Sequence, residues 1–164
     1  MGQLKIRDEM PADIPEIGAV ELAAFPTHDE ADLVDRLRQD GSAVLSLVAV
    51  LDGRIVGHIM FSRMLSPEKC LGLAPVAVLE SCRGRGIAAE LIRQGLSRAK
   101  TGGWKGVFVL GDPYYRRFGF DPSLAAGFAS PYAGAHFMAL ELEAGALAEK
   151  EGGARYPQAF EALG

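Results

Sequence analysis

A glycine loop between an apolar strand and an amphipathic helix constrains the fold of this chain more than any other feature. Residues 71–79 are almost entirely apolar, residues 83–88 read Arg-Gly-Arg-Gly-Ile-Ala, and apolar side chains then recur at helical spacing as far as Lys100. The two glycines allow a sharp turn, and the first helical turn adds unpaired N–H groups and a partial positive charge. With Arg83 and Arg85 in the loop, this arrangement is typical of a phosphate or pyrophosphate site.

The composition is that of one soluble globular domain. With 164 residues, 49% of them hydrophobic and 23% charged, we expect residues 1–164 to share a single core. A net charge of −4 offers no global attraction to nucleic acid or to an anionic membrane, and no apolar run reaches the ~18 residues of a membrane span. Two cysteines form no disulfide framework, and three scattered histidines predict no metal site. A cytoplasmic protein is therefore expected.

Hydrophobic periodicity and turn residues predict six strands and four helices. The predicted strands are residues 3–7, 43–51, 54–63, 71–79, 106–110 and 136–142. The predicted helices are residues 11–25, 29–39, 86–100 and 113–118. Asp52-Gly53 predicts a hairpin between the second and third strands, and Pro75 predicts a bulge in the fourth because proline cannot donate to a sheet. The strand, helix and strand between residues 71 and 110 predict a crossover between parallel strands.

Three phosphate-binding patterns compete for the glycine loop. The P-loop pattern GxxxxGK[ST] is absent from the sequence. Residues 84–89 satisfy the GxGxxA of dinucleotide-binding folds, but four residues separate the strand from the first glycine, and Lys105 stands where an acid should follow. The third pattern, [QR]-x-x-G-x-[GA], fits residues 83–88 at every fixed position. It resembles the acetyl-CoA loop of the GCN5-related N-acetyltransferase (GNAT) family.

A second match follows about thirty residues later and strengthens this resemblance. Residues 115–120, Tyr-Arg-Arg-Phe-Gly-Phe, resemble the Y-x-x-x-G-F segment of the family, and residues 111–115 are similar to a branch of small bacterial predicted acetyltransferases. The order of strands and helices also follows the family. The resemblance implies a single-domain α/β fold with a mixed, mostly antiparallel twisted sheet that is splayed between its fourth and fifth strands, with helices on both faces.

The resemblance also implies acetyl-CoA as the cosubstrate. In the family, the bulged strand pairs with the pantetheine arm and the loop amides hold the pyrophosphate. The implied cofactor-binding residues are Val76, Ala77, Val78, Arg83, Gly84, Arg85, Gly86, Ile87 and Ala88. Two catalytic roles follow. Tyr115 is the implied proton donor to the departing thiolate, and the freed N–H of Val78 is the expected oxyanion donor.

The expected reaction is transfer of an acetyl or short acyl group to a primary amine of a small molecule or a protein, by direct attack in a ternary complex. No cysteine or serine occupies a nucleophile setting. Some family members carry a glutamate on the fourth strand as general base, but Gly72 occupies the matching place here. The other candidates are a water chain and the side chains of His28, Asp29, Glu30, Glu68 and His136.

Two alternative functions stay open at this point. The missing strand carboxylate favours a non-catalytic acyl-CoA sensor that retains the phosphate loop but lacks a base. The GxGxxA interpretation of the loop favours a nucleotide-dependent oxidoreductase. Neither the amine acceptor nor the choice between a monomer and a homodimer is encoded in any pattern of the sequence.

Overall fold

A computed structural model describes residues 2–163 and contains a six-stranded sheet whose strands lie side by side in chain order. The strands are β1 (Lys5–Asp8), β2 (Ala43–Leu51), β3 (Arg54–Arg63), β4 (Cys70–Val78), β5 (Gly106–Leu110) and β6 (Phe137–Glu141). The helices are α1 (Ile14–Ala24), α2 (Asp29–Gln39), α3 (Ile87–Thr101) and the single turn α4 (Pro122–Ala125). Short 3-10 helices span Pro11–Asp13, Glu80–Cys82, Pro113–Phe118 and Gln158–Leu163.

The elements agree with the sequence patterns, apart from shifts of one to three residues at several ends and a few local differences. β1 begins at Lys5 rather than at residue 3. Pro113–Phe118 is a 3-10 helix, which begins where Asp112 accepts a hydrogen bond from the Tyr114 N–H and ends at Gly119 in the left-handed region. α4 was not predicted, because a single turn is too short to display helical periodicity.

The sheet is mixed, and the change of strand direction lies in its middle. β1 to β4 pair antiparallel, as do β5 and β6, whereas β4 and β5 are parallel. The parallel pairing joins only residues 70–72 to residues 106–108, so β4 and β5 separate beyond Gly72. The mixed, mostly antiparallel sheet with a splay between its fourth and fifth strands is therefore confirmed.

A bulge in β4 lies where the proline predicts it. Ile59 and Phe61 of β3 pair with Val76 and Leu73 of β4, so two residues of β4 lie opposite one residue of β3. Pro75 is one of these two residues. Because proline has no N–H, the ladder cannot continue through it without an irregularity.

Different helices cover the two faces of the sheet, which we call the α3 face and the α1/α2 face. On the α3 face, Ile87 and Leu91 of α3 pack with Ile59 and Phe61 of β3. The apolar side chains of the α1/α2 face form two clusters and include Ile17, Val20, Leu33, Val34, Leu37, Val48, Ile55, Met60, Ala77 and Phe160. Because Phe160 belongs to the second cluster, the C-terminal segment packs against α2.

Two helical glycines test how closely the α3 face is packed. A Cβ atom added at Gly95 of α3 would lie 2.2 Å from Cε1 of Phe61, whereas one added at Gly18 of α1 would meet nothing within 4 Å. We expect Gly95→Ala to lower the free energy of unfolding by about 1–3 kcal/mol through overpacking. Gly18→Ala should raise it by about 0.5–1 kcal/mol, because alanine favours the helix. Urea denaturation measures both, and a shift of the same sign in the two variants would contradict this account.

Candidate active site

A cleft of about 350 Å³ lies between the end of β4, the glycine loop and the 3-10 helix Pro113–Phe118. The predicted cofactor residues that line it are Val78, Arg83, Gly84, Gly86, Ile87 and Ala88. The lining residues that were not predicted to bind the cofactor are Cys82, Ala89, Tyr114 and Arg117. Val76, Ala77 and Arg85 do not line this cleft, so any contact they make with a cofactor lies outside it.

The glycine loop has the backbone conformation that a turn into a helix requires. Gly84 and Gly86 have φ angles of +80° and +78°, in the left-handed region that other L-residues rarely adopt. A Cβ atom at either position would meet nothing within 4 Å, so conformation and not crowding requires glycine here. Gly86 is the N-cap of α3, and within the described residues no side chain caps this helix. The first amides of α3 are therefore free to bind an anion at the cleft.

The two loop arginines have different environments. The Nε of Arg83 donates to the Val78 carbonyl and its Nη2 donates to the Ala24 carbonyl, both at 3.3 Å. Arg83 thus ties the loop to the end of β4 and to the last residue of α1. Arg85 is exposed and lies outside the cleft lining.

The outer edge of β4 offers backbone groups to the gap beside β5. The N–H of Leu79 donates to a carbonyl of β3 at 2.9 Å, so the backbone of Leu79 faces β3. Backbone groups alternate sides along an antiparallel pair, which turns those of Val78 and Val76 outward and those of Ala77 toward β3. The contact between the Val78 carbonyl and the Arg83 side chain agrees with this alternation. Ala77 buries its methyl group on the α1/α2 face.

Tyr115 lies beside the end of β5. Its ring covers Gly111, where an added Cβ atom would come within 2.5 Å of the ring. The ring also meets Phe120 edge-on, with centroids 6.0 Å apart. Burial, with smaller contributions from Asp112 and Tyr114, raises the pKa of Tyr115 to about 12. The phenol therefore stays protonated at neutral pH and can act as a proton donor.

Gly72 occupies the strand position of the expected glutamate, and Tyr156 explains why no side chain stands there. A Cβ atom at Gly72 would lie 2.5 Å from Cε1 of Tyr156, so the tyrosine ring fills the space that a carboxylate would need. Burial raises the pKa of Tyr156 well above its ordinary value. Because Tyr156 comes from the C-terminal segment, no pattern within β4 could reveal this contact.

The structure separates the other candidate bases from one another. The exposed candidates are His28, Asp29, Glu68 and His136. Glu68 precedes β4 at the end opposite the glycine loop, whereas Nδ1 of His136 lies 3.3 Å from the Gly111 carbonyl, near Tyr115. Glu30, on the first turn of α2, has a buried Oε1 without a hydrogen-bond partner among the described residues.

Sequence patterns did not reveal a buried partner of His58. The side chain of His58 in β3 is fully buried. Its Nδ1 lies 2.7 Å from Oε2 of Glu21, which is also buried. The available signal was that Glu21 follows Ile17 and Val20 at helical spacing on the inward stripe of α1.

Residues 2–163 contain neither a cluster of metal ligands nor a membrane-spanning helix. Within that range, no group of three or more His, Cys, Asp or Glu side chains could hold a metal ion. No helix of the described part of the chain is long and apolar enough to cross a membrane.

Comparison with known proteins identifies the family of this chain. The model of the acetyltransferase (GNAT) family matches residues 12–120. This chain belongs to the GNAT family. Two Escherichia coli proteins, both called uncharacterized N-acetyltransferases, are 42% identical to it. YhbS aligns over 121 residues, which are 71% of this chain and 72% of that protein. YjhQ aligns over 131 residues, which are 74% of this chain and 72% of that protein.

Two solved GNAT structures are also similar over nearly the full length. The crystal structure of Escherichia coli YhbS in complex with CoA covers 100% of this chain and 95% of that chain, with a TM-score of 0.92 and 35% identity. The structure of a GNAT acetyltransferase from Brucella melitensis in complex with acetyl-CoA covers 98% of this chain and 99% of that chain, with a TM-score of 0.82 and 36% identity. The predicted family, fold and acetyl-CoA cosubstrate are confirmed, and the dinucleotide interpretation of the loop is excluded.

A matched pair of glycine substitutions tests the loop. Gly86 and Gly103, at the two ends of α3, have φ angles of +78° and +86° and open space around them. Alanine should therefore strain both positions by about 1–3 kcal/mol. Only Gly86 lines the cleft, so we expect Gly86→Ala to weaken acetyl-CoA binding about tenfold in calorimetric titration and Gly103→Ala to leave it unchanged. Equal affinities in the two variants would show that the loop conformation does not serve the cofactor.

Proposed function

We propose that this chain transfers the acetyl group of acetyl-CoA to a primary amine by direct attack in a ternary complex. The observation that carries the proposal is the gap between β4 and β5, which has free backbone groups of β4 on one side and the protonated phenol of Tyr115 beside the end of β5. The anion-binding end of α3 opens at the same end of β4. A linear cofactor with a pyrophosphate at one end and a thioester at the other fits this arrangement.

Two parts of the protein bind acetyl-CoA: the glycine loop with the start of α3, and the outer edge of β4. The first amides of α3 and the positive end of its dipole bind the pyrophosphate of CoA. The outward backbone groups of Val76 pair with the amides of the pantetheine arm, as an added strand pairs with a sheet edge. The thioester lies in the gap, and the Val78 N–H is the donor to its carbonyl oxygen.

Transfer needs one bond formed, one bond broken and two proton movements. The nitrogen of the neutral amine attacks the thioester carbon, and the Val78 N–H stabilises the negative oxygen that forms. The C–S bond then breaks, the attacking nitrogen loses one proton to solvent as it becomes the amide, and the departing thiolate takes the proton of the Tyr115 phenol. A phenol with a pKa of about 12 is a weak acid, but the same desolvation makes a buried thiolate more basic. Solvent afterwards returns a proton to the phenolate.

The acceptor is best matched by a cationic amine of a small molecule or a protein. Because the donor occupies the α3 side of the gap, the amine approaches from the α1/α2 face. The first turn of α2 carries three acids on that face of the molecule: Asp29, Glu30 and Asp32. Negative potential there attracts an ammonium group and disfavours an anionic acceptor. The free thiols of both cysteines and the use of acetyl-CoA support a cytoplasmic setting.

A second candidate function, a non-catalytic acyl-CoA sensor, is favoured by Tyr156 standing where the strand carboxylate would be. A panel of primary amines separates the two functions, with release of the CoA thiol and the mass of the acetylated product as readouts. Turnover with a cationic amine supports the transferase. Tight acetyl-CoA binding without turnover on any amine would favour the sensor. The molar mass of the same preparation in solution distinguishes a monomer from a homodimer.

The role of Tyr115 is tested by removing its hydroxyl group alone. We expect Tyr115→Phe to lower kcat about 100-fold, the scale of a lost general acid, and to leave acetyl-CoA affinity within about twofold. Tyr132→Phe is the control, since this tyrosine packs against Tyr156 in a different apolar cluster from that of Tyr115. Because the pKa of Tyr115 is raised to about 12, the wild-type rate should show no loss from its ionisation below about pH 11. A Tyr115→Phe enzyme with the wild-type kcat would remove the tyrosine from the mechanism.

A further inference from the structure

A fully buried glutamate and histidine form a pair on the α1/α2 face. Neither residue has a role in the transfer steps described above. Glu21 of α1 is 1% exposed and His58 of β3 is 0% exposed, with 2.7 Å between Oε2 of the glutamate and Nδ1 of the ring. Oε1 of Glu21 is buried and has no hydrogen-bond partner within residues 2–163. A buried carboxylate oxygen without a partner carries a substantial desolvation cost, so it calls for a ligand or a proton.

The pair continues outward as a line of hydrogen bonds. Nε2 of His58 lies 2.8 Å from Oγ of Ser46, and that hydroxyl lies 2.5 Å from Oε1 of Glu9. Arg38 donates from Nε and Nη2 to the two oxygens of Glu9, at 2.9 and 2.7 Å. The side chains of Glu9 and Arg38 are 18% and 16% exposed, so the outer end of the line reaches solvent.

Counting hydrogens shows that this line holds one excess proton. Its three contacts, from Glu21 to His58, from His58 to Ser46 and from Ser46 to Glu9, need three hydrogens. The serine hydroxyl supplies one, a neutral imidazole supplies one, and two carboxylates supply none. The third hydrogen must be an extra proton, which we place on His58 because imidazole is more basic than a carboxylate.

The electrostatic surroundings keep the extra proton at the inner end. Burial alone would raise the pKa of Glu9, but hydrogen bonds from Arg38 and Ser46 lower it. Burial raises the pKa of Glu21, His58 opposes this effect, Glu30 adds to it, and Arg38 weakly opposes it. The line therefore runs from an inner carboxylate with high proton affinity to an outer carboxylate with low proton affinity.

The inner end lies on the side from which the acceptor approaches. His58 pairs with Ala77 of β4, which is the neighbour of Val78. The side chain of His58 faces α1. An alkyl ammonium has a pKa near ~10.4 and must lose a proton before it can attack. Resting on the transferase function proposed above, we propose that Glu21, His58, Ser46 and Glu9 form the route by which the proton of the acceptor ammonium leaves the active site.

The proton balance of this route closes without a further reactant. An N–H bond of the ammonium breaks and its proton goes to Oε1 of Glu21, while the nitrogen keeps the electron pair that attacks the thioester. The extra proton moves from Nε2 of His58 to Oγ of Ser46. The serine hydroxyl proton passes to Glu9 and then to water. One proton enters and one leaves, so the number of protons on the line is unchanged. The starting arrangement returns when Glu21 passes its proton to the imidazole of His58 and the ring again carries hydrogens on both nitrogens.

Ser46→Ala breaks the route at one atom and keeps the Glu21–His58 pair. We expect kcat to fall at least about tenfold, its pH profile to shift to higher pH, and KM for acetyl-CoA to stay unchanged. Ser46→Thr keeps the hydroxyl and should restore both kcat and the pH profile. Ser62→Ala is the matched control, because Ser62 is fully buried and its hydroxyl has no partner among the described residues. A Ser46→Ala enzyme with the wild-type kcat and pH profile would overturn the proposal.

A second measurement tests the proton route in the absence of turnover. ¹⁵N NMR of the His58 ring at pH 7 should show hydrogens on both ring nitrogens in the wild type and on one nitrogen in Ser46→Ala. A singly protonated ring in the wild type would refute the extra proton. A wild type that acetylates no amine refutes the transferase function itself, whereas an active wild type with an unaffected Ser46→Ala variant refutes only the proton route.

Discussion

Between β4 and β5, hydrogen bonding joins only three residue pairs, all at the end of β4 far from the glycine loop. The bulge at Pro75 redirects β4, and the strands then diverge. Backbone N–H and C=O groups cannot stay unpaired inside a protein without a large cost, so the outward groups of Val76 and the N–H of Val78 need a partner. A pantetheine arm, which carries amides along an extended chain, can provide one. The separation of β4 from β5 thus interrupts the sheet and at the same time opens the space in which the acetyl donor fits.

Charge divides the two sides of this gap. On the α3 face, the N-terminal end of α3 and the nearby arginines make the surroundings of the cleft positive, which suits a pyrophosphate. On the α1/α2 face, the first turn of α2 carries Asp29, Glu30 and Asp32, and Glu21 lies buried on α1. In the proposed reaction, this charge distribution draws a polyanionic donor and a cationic acceptor to opposite sides, and the two meet where the sheet is open.

Sequence patterns predicted the six strands and the long helices because their apolar periodicity is local, and Pro75 marked the bulge for the same reason. The glycine loop was equally visible, since its residues are contiguous. Contacts between distant segments were not. Tyr156 over Gly72 joins the C-terminal segment to β4, and Glu21 and His58 are separated by 37 positions. No periodicity or motif encodes such pairs, because they depend on how the helices and the tail pack on the sheet.

The Tyr156 ring over Gly72 and the buried pair of Glu21 and His58 are connected in the proposed reaction. Because the Tyr156 ring excludes a side chain at Gly72, a protein base for the proposed reaction has to come from another element. Glu21, hydrogen-bonded to His58 of β3, is a buried carboxylate on the α1/α2 face, where we propose that the acceptor approaches. Stability does not account for this pair, since the cost of desolvating buried charges generally offsets their attraction and apolar replacements are often neutral or stabilising. A hydrogen-bonded line that ends at solvent, with one unpartnered oxygen at its inner end, is better explained by moving protons than by holding the fold together.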